Sequence, residues 1–502
     1  MCEDPDISGV NPCTWSTGSP TQGLRCFYTR DTLSGTDRVC PHAENAAGGV
    51  SEFRCADGYI RGSGDLFSCV AGTCPEGTTR SPNGVCLPPE ANLPKNSGST
   101  PCGTTPCGNP INPGTGNKYQ IETDYTGNGP YPLTFARSYN SLVPTNGNLG
   151  SHWRSSYSQS LIIDPNNTQV TAVRPNAREY IFTLNGAQWA PDPDVTGRLI
   201  ELLDGSSIRI GWEYRTSNDT IETYSADGKL LSLTRRDGLI QTLAYDVAAI
   251  DGGDGDANTL DTVTDPAGRT LGFSYDANGR VATVTDPAGA VYTYAYDAND
   301  NLASVTYPDE TPADPNDNPQ RIYHYEDTNF PHALTGITDE NGNRFATWGY
   351  DAQGRAILSE HAGGTERVDV VYNADGTTTV TDSQGHVETV HFDILHGVVK
   401  TGQVDGGPCS GCGDYAGITY DANGFLASRT DFNGNTTTYV HDARGLETSR
   451  TEAVGTPQER TITTQWDSVF RLPVQITEPG KITTFTYDAQ GRLLERKEEV
   501  AP

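Results

Sequence analysis

The side chains of this sequence best suited to chemistry are its cysteines. Ten of the twelve, Cys2, Cys13, Cys26, Cys40, Cys55, Cys69, Cys74, Cys86, Cys102 and Cys107, fall within residues 1–107, irregularly spaced among Gly, Pro, Ser and Thr. An even set in a loop-rich segment with little apolar content reads as a disulfide framework formed in an oxidising compartment. Spacing does not give the pairing, because the eight cysteines before residue 90 admit too many connectivities. The other two stand in Cys409-Ser410-Gly411-Cys412. No βαβ pattern surrounds them, which weighs against a redox dithiol. Two readings stay open there: a four-thiolate zinc site with Cys102 and Cys107, or disulfides, within the motif or across to Cys102 and Cys107. Disulfides are preferred, and cross-links would staple the segment ahead of the repeats to the sheet.

The acidic and histidine clusters are less specific. Asp251-x-x-Asp254-x-Asp256 puts carboxylates in a Gly-rich loop of the kind calcium favours, but lacks the twelve-residue pattern with its terminal bidentate Glu. A solvated polar insert is the preferred account of it, as it is of Asp314-x-x-Asp317. His386, His391 and His396 are near in sequence, but the odd offset of His391 sends it to the opposite face of a strand. No Gly-x-Ser-x-Gly, His-Glu-x-x-His or phosphate-binding glycine loop is present. Glycoside hydrolysis would need two carboxylates about 5–10 Å apart in a cleft, and 64 acidic residues single out no pair. The expectation is a protein that is not an enzyme, with no catalytic, cofactor or resident metal site. Calcium at Asp251, Asp254 and Asp256 and zinc at the four cysteines are the minor alternatives.

The elements that would position such residues are clearest between Gly272 and Tyr307. Tyr292, Tyr294 and Tyr296 alternate with Val291, Thr293 and Ala295, the period-two pattern of a strand. Asp276-Ala277-Asn278-Gly279 and Asp286-Pro287-Ala288-Gly289 supply turns, with Asp bonding the local backbone and Gly free to take positive φ. One period is therefore a hairpin, too weak alone, which must pair edge to edge with its neighbours. The unit recurs at Tyr224, Tyr245, Tyr275, Tyr296, Tyr325, Tyr350, Tyr372, Phe392, Tyr420, His441, Trp466 and Tyr487, in steps of 20 to 30 residues. The three longest steps carry the inserts at 251–256, 312–317 and 406–412, and insertions at turns leave a sheet's register intact. The recurring tyrosines and tryptophans could stack on sugars, but cross-strand packing explains the same stripe more simply.

The Tyr-Asp-x-x-Gly-Arg and Asp-Pro-x-Gly units resemble the YD repeats of the Rhs family, related to those of teneurins, over about residues 220–497. Pro110-Ile111-Asn112-Pro113-Gly114-Thr115-Gly116-Asn117-Lys118, then Leu133 to Ser141, Gly150-Ser151-His152-Trp153 and Ser156-Tyr157, resemble the small β domain that precedes Rhs repeats, over about 108–185. The resemblance implies a wide antiparallel sheet that spirals into a hollow shell, sealed at one end by the small domain and, in bacterial Rhs proteins, enclosing a C-terminal toxin. The family's Asp-rich self-cleavage region and variable toxin find no counterpart here, and about a dozen hairpins are expected to be too few to close a cage.

The expected fold is all-β: a Cys-rich, disulfide-stapled segment at 1–107, a small β cap domain at 108–220, and hairpin repeats at 221–502 curling into a partial shell or spiral. Leu87 to Thr105 reads as a linker. Composition agrees, with 55 Gly and 32 Pro for many turns and 34% apolar residues, few for a solid core. A net charge of −30 repels phosphate backbones and anionic lipid, so no nucleic-acid partner is expected. No run of 18 or more apolar residues exists, so no membrane span is expected, and Met1-Cys2-Glu3-Asp4 does not open a signal peptide. Two functions compete. One is a secreted or cell-surface scaffold, part of an Rhs-type shell that encloses or delivers a toxin. The other is an extracellular adhesion or structural module, a homo-oligomer or polymer subunit included, that meets a protein or glycan partner at the cell surface.

Overall fold

The computed structural model describes residues 93–98, 109–144, 146–246, 259–309, 311, 317–407 and 415–501, and the backbone of six short strands nearer the N-terminus. Two compact units divide between Pro89 and Glu90. In the first, short antiparallel pairs join Thr14–Ser16 to Arg25–Phe27, Tyr59–Arg61 to Cys69–Ala71, and Thr79–Arg80 to Cys86–Leu87. The side chains of all twelve cysteines, and Asp251, Asp254 and Asp256, lie outside the described residues.

The second unit is built on one sheet. Among the described residues, 30 strands from Ser160–Ile163 to Leu493–Val500 pair in sequence order, each antiparallel to the next. Its first and last strands do not pair with each other, so the sheet is open, the arrangement of a partial shell rather than a barrel. The continuous sheet begins at Ser160, well ahead of the point where the tyrosine repeat becomes legible. No α-helix occurs among the described residues, and no helix there is long and apolar enough to cross a membrane.

Each hairpin follows from its residues. Asp276 N–H donates to Arg280 O at 2.8 Å and Gly279 N–H to Asp276 O at 2.9 Å, closing a tight turn with Gly279 at φ +74°. That left-handed backbone is where glycine has no Cβ penalty. Along the strands, Phe273, Val284 and Tyr292 stand opposite one another on one face, and Thr283, Thr293 and Thr306 on the other. The first face is the core, with Val263, Leu271, Val284, Leu302 and Val305 fully buried. A register shift falls at the repeat aromatic in unit after unit, at Tyr275, Tyr296, Tyr350, Tyr420, Trp466 and Tyr487. This bulge gives one extra residue to the return strand and bends the ladder at the same place each time.

The late hairpins return onto the early ones. Arg471 N–H donates to Asp219 at 2.8 Å and its guanidinium to Thr196 O at 3.0 Å. The turn glycines Gly424, Gly445 and Gly491 lie against Asp194, Thr196 and Arg236 in turn. Successive late turns thus seat on successive early turns, and the sheet winds.

The apparent linker is not free chain where it is described. Residues 93–98 are a buried clasp: Lys95 Nζ bonds Asp192 at 2.7 Å, Asp194 at 2.6 Å and His396 O at 2.7 Å. Asn96 exchanges two bonds with the turn at Gly397 and Val399, and Ser97 O accepts from Arg178. Composition suggested a linker because polar residues usually face water, whereas here the side chains of Lys95 and Asn96 are buried on partners in the sheet.

Candidate interaction site: the repeat hairpins and the cap they hold

The repeat motif is a set of fasteners. The tyrosine hydroxyl donates to a backbone carbonyl in the preceding hairpin: Tyr275 to Leu260 O at 2.7 Å, Tyr296 to Val281 O at 2.8 Å, Tyr350 to Leu334 O at 2.7 Å, Tyr487 to Pro473 O at 2.8 Å. Trp466 does the same through Nε1 to Glu447 O at 2.8 Å. Asp276 Oδ1 accepts from the N–H of Asn278 and of Arg280, and Oδ2 from the Arg280 guanidinium at 2.6 Å. These bonds hold the Asp276 carboxyl below its ordinary pKa, against the opposing pull of partial burial. Arg280 then lies 4.3 Å over the ring of Tyr296 in the next unit, and Arg355 4.2 Å over Tyr372.

What the wall holds is a three-stranded sheet of Tyr119–Thr126, Thr134–Asn140 and Trp153–Ser155. One face of it packs on the core face of the large sheet, with Phe135 5.6 Å from Phe273 and Trp153 5.1 Å from Tyr323, ring to ring. At the centre is an ion pair whose side chains are both 0% exposed: Arg137 Nε and Nη2 meet Asp124 at 2.6 and 2.8 Å. Tyr294 and Tyr307 donate to the same carboxylate at 2.8 and 3.0 Å, and Arg137 donates to Tyr323 at 2.8 Å. Burial works against the guanidinium's charge, but Asp124 more than offsets it and Arg137 stays well above its ordinary pKa. Beside it, Lys118 Nζ bonds Asn109 O, Tyr119 O and Gln120 Oε1 and lies 4.1 Å over Trp348. Glu122 pairs with Arg321 of the large sheet. The opposite face of the small sheet borders a cavity of about 500 Å³ lined by Tyr119, Ser138, Asn176, Tyr180 and Tyr214, among others.

Chemically this arrangement binds. The buried Arg137 and Asp124 charges are paired with each other, and the tyrosines around them are pushed up in pKa by burial first. The three neighbouring histidines go to three places: His386 to Asp382, His391 to Asp405, and His396 to Ala422 O. Among the described residues no three His, Cys, Asp or Glu side chains group as a metal would require. Sequence reasoning missed Asp124, Lys118 and Glu122. A signal existed for Arg137, which shares strand parity with the buried Phe135, a place where a cation needs a partner.

Tandem Tyr-Asp hairpins that fasten to one another and grip an internal cap define a β-repeat scaffold. The RHS Repeat family model matches residues 258–291, 275–312 and 420–457, inside the span where the hairpins are observed. A second model, Domain of unknown function (DUF6531), matches residues 108–182, the cap and the strands that follow it. The chain therefore carries Rhs repeats within its Tyr-Asp hairpin region. No match is found among curated protein sequences. Among solved structures it is similar to TcdB2-TccC3 without its hypervariable C-terminal region, at 12% identity and TM-score 0.38, over 78% of this chain and 24% of that one. It is also similar to the Photorhabdus luminescens Tc holotoxin pore, at 11% identity and TM-score 0.34, over 76% of this chain and 26% of that one. The N-terminal domain of effector protein SpvB from Salmonella typhimurium strain LT2 matches at 14% identity and TM-score 0.19, over 57% of this chain and 98% of that one. The chain thus spans about a quarter of the Tc chains' length.

Proposed function

We propose that this chain is a non-enzymatic wall segment of a secreted or cell-surface Rhs-type shell that encloses or delivers a toxin. The observation that carries the reading is a change along the sheet's core face. Up to about Val404 that face is apolar and buried, first against the cap and then around Ile111. In the strands Leu426–Asp431, Glu447–Glu452 and Pro473–Glu478 every residue is only half-buried. Arg429 there lies between Tyr415 at 4.7 Å and Tyr439 at 5.7 Å, and Arg450 bonds Glu452 at 2.9 Å. A wall wetted on both faces is what borders a water-filled interior. Electron microscopy of the secreted full-length product tests this: density filling the concave side of the sheet is expected, and a bare sheet would sink it.

The second reading, an extracellular adhesion module, is favoured by one feature. Among the described residues the strand Leu493–Val500 pairs on one side alone, and it is exposed throughout. An open strand edge takes another extended chain by backbone hydrogen bonding, so a protein partner suits it better than a glycan. Labelled protein that decorates cells and loses binding when this strand is covered would favour this reading.

A further inference from the structure

The joint between the cap and the large sheet contains a histidine pair that neither the motif nor the cap's ion pair uses. His152, 8% exposed, stands at φ +67° just before the cap strand Trp153–Ser155. Its ring stacks on that of His332, in the loop ahead of Gly336–Thr338, with centroids 5.6 Å apart and planes 26° from parallel. Around the pair the cap is bolted to the sheet. Ser151 N–H donates to Asp300 O at 2.7 Å, Tyr139 O–H to His332 O at 2.9 Å, and Leu334 N–H to Tyr139 Oη at 2.9 Å. Asn301 Nδ2 donates to Asp297 and Pro331 O, which turns its Oδ1 toward His332 Nδ1 at 2.8 Å. His332 therefore carries its proton on Nδ1, and a second proton would go to Nε2. His152 Nδ1 shares a hydrogen bond of 2.7 Å with Ser151 Oγ.

We propose that His152, stacked on His332, is an acid-sensitive latch, which holds the cap to the sheet while its buried ring is neutral and loosens it when that ring takes a proton. The carboxylates on the surrounding elements are already engaged. Asp297 takes Asn299, Asn301 and the Asn301 amide; Asp300 takes Arg280; Glu326 takes Arg344; Asp327 takes the backbone of Asn329 and Phe330. His324 bonds Thr338, and the nearest cap phenol, Tyr139, is neutral and spent on the loop. Burial first and His332 second hold His152 at a pKa of about 3, against 6.5 for a free ring. The docked state thus keeps its full advantage above pH 6.5 and loses it as pH falls toward 3.

The test is hydrogen exchange of the full chain, corrected for intrinsic rates, read at residues 134–140 and 153–155. Between pH 7.5 and pH 5 the opening equilibrium of the cap should rise roughly 30-fold, the ratio that a shift from 6.5 to about 3 implies at that pH. The double variant His152→Asn/His332→Gln should flatten this step while keeping the cap folded at pH 7.5, since Asn accepts positive φ. An acid step of the same size in that variant overturns the latch. Should the double variant not fold, exchange at the His152 ring C2 position in the wild-type protein decides: titration near 6.5 refutes the proposal, and titration well below it supports it.

Discussion

Most repeat tyrosines add one side-chain bond from their hairpin to the last, on top of the backbone ladder. Tyr296→Phe removes the bond to Val281 O and leaves that carbonyl short of a donor, without changing the ring that Arg280 covers. The expected loss is about 1 kcal/mol, read as a lower urea midpoint with an unchanged slope. Arg137→Met should cost more, about 3–5 kcal/mol, because it strands the fully buried Asp124 carboxylate without its cation. The paired change Arg137→Met/Asp124→Leu should recover much of that loss, since an apolar pair of similar volume needs no desolvated charge. If the double variant is as unstable as the single one, packing around Trp153 rather than charge dominates the joint.

The hairpins were legible in the sequence because most of them repeat three local signals: alternation, an Asp-led turn, and a glycine at positive φ. The bulge at most of the repeat aromatics was not, because it shows only in which residues pair. Nor was the early start of the sheet at Ser160, where strands such as Gln169–Val173 and Glu179–Asn185 carry the alternation without the Tyr-Asp turn. The clasp failed to register for a different reason. Leu93–Asn96 has no pattern of its own, and its partners Asp192 and His396 are about 100 and 300 positions away. Lys95→Met leaves Asp194, nearly buried, without its cation, and should destabilise by about 3 kcal/mol, the low end for a broken buried pair because Asp192 is half exposed. The loss should be local: amide exchange at Val399, whose N–H donates to Asn96, should quicken while that of Val284 in the distant core does not. Equal quickening at both sites would show that the clasp supports the whole unit and not the seam alone.

At the scale of the molecule, two questions remain open to direct measurement. The first is compartment: the disulfide reading expects native, unreduced protein to offer few of its twelve thiols to an alkylating reagent, and twelve free thiols would remove the case for an oxidising environment. The second is self-association through the edge strand Leu493–Val500. Two copies paired antiparallel about its centre would set Leu493 opposite Val500, Leu494 opposite Glu499, Glu495 opposite Glu498 and Arg496 opposite Lys497. Two kinds of like-charge contact arise, each present twice by symmetry, and each is destabilising by about 0.2–1 kcal/mol. Charged edge residues are a common guard against such pairing. The wild-type chain should therefore not dimerise through this edge, whereas Glu495→Lys turns both Glu–Glu contacts into Lys–Glu contacts and should promote it. Sedimentation velocity at low salt separates the cases. A wild-type dimer abolished by Glu495→Pro would mean that the charges do not guard the edge and would move the balance toward a polymer-forming module. A monomeric wild type and a self-associating Glu495→Lys variant would mean that the charges of this strand guard it against pairing with a second copy.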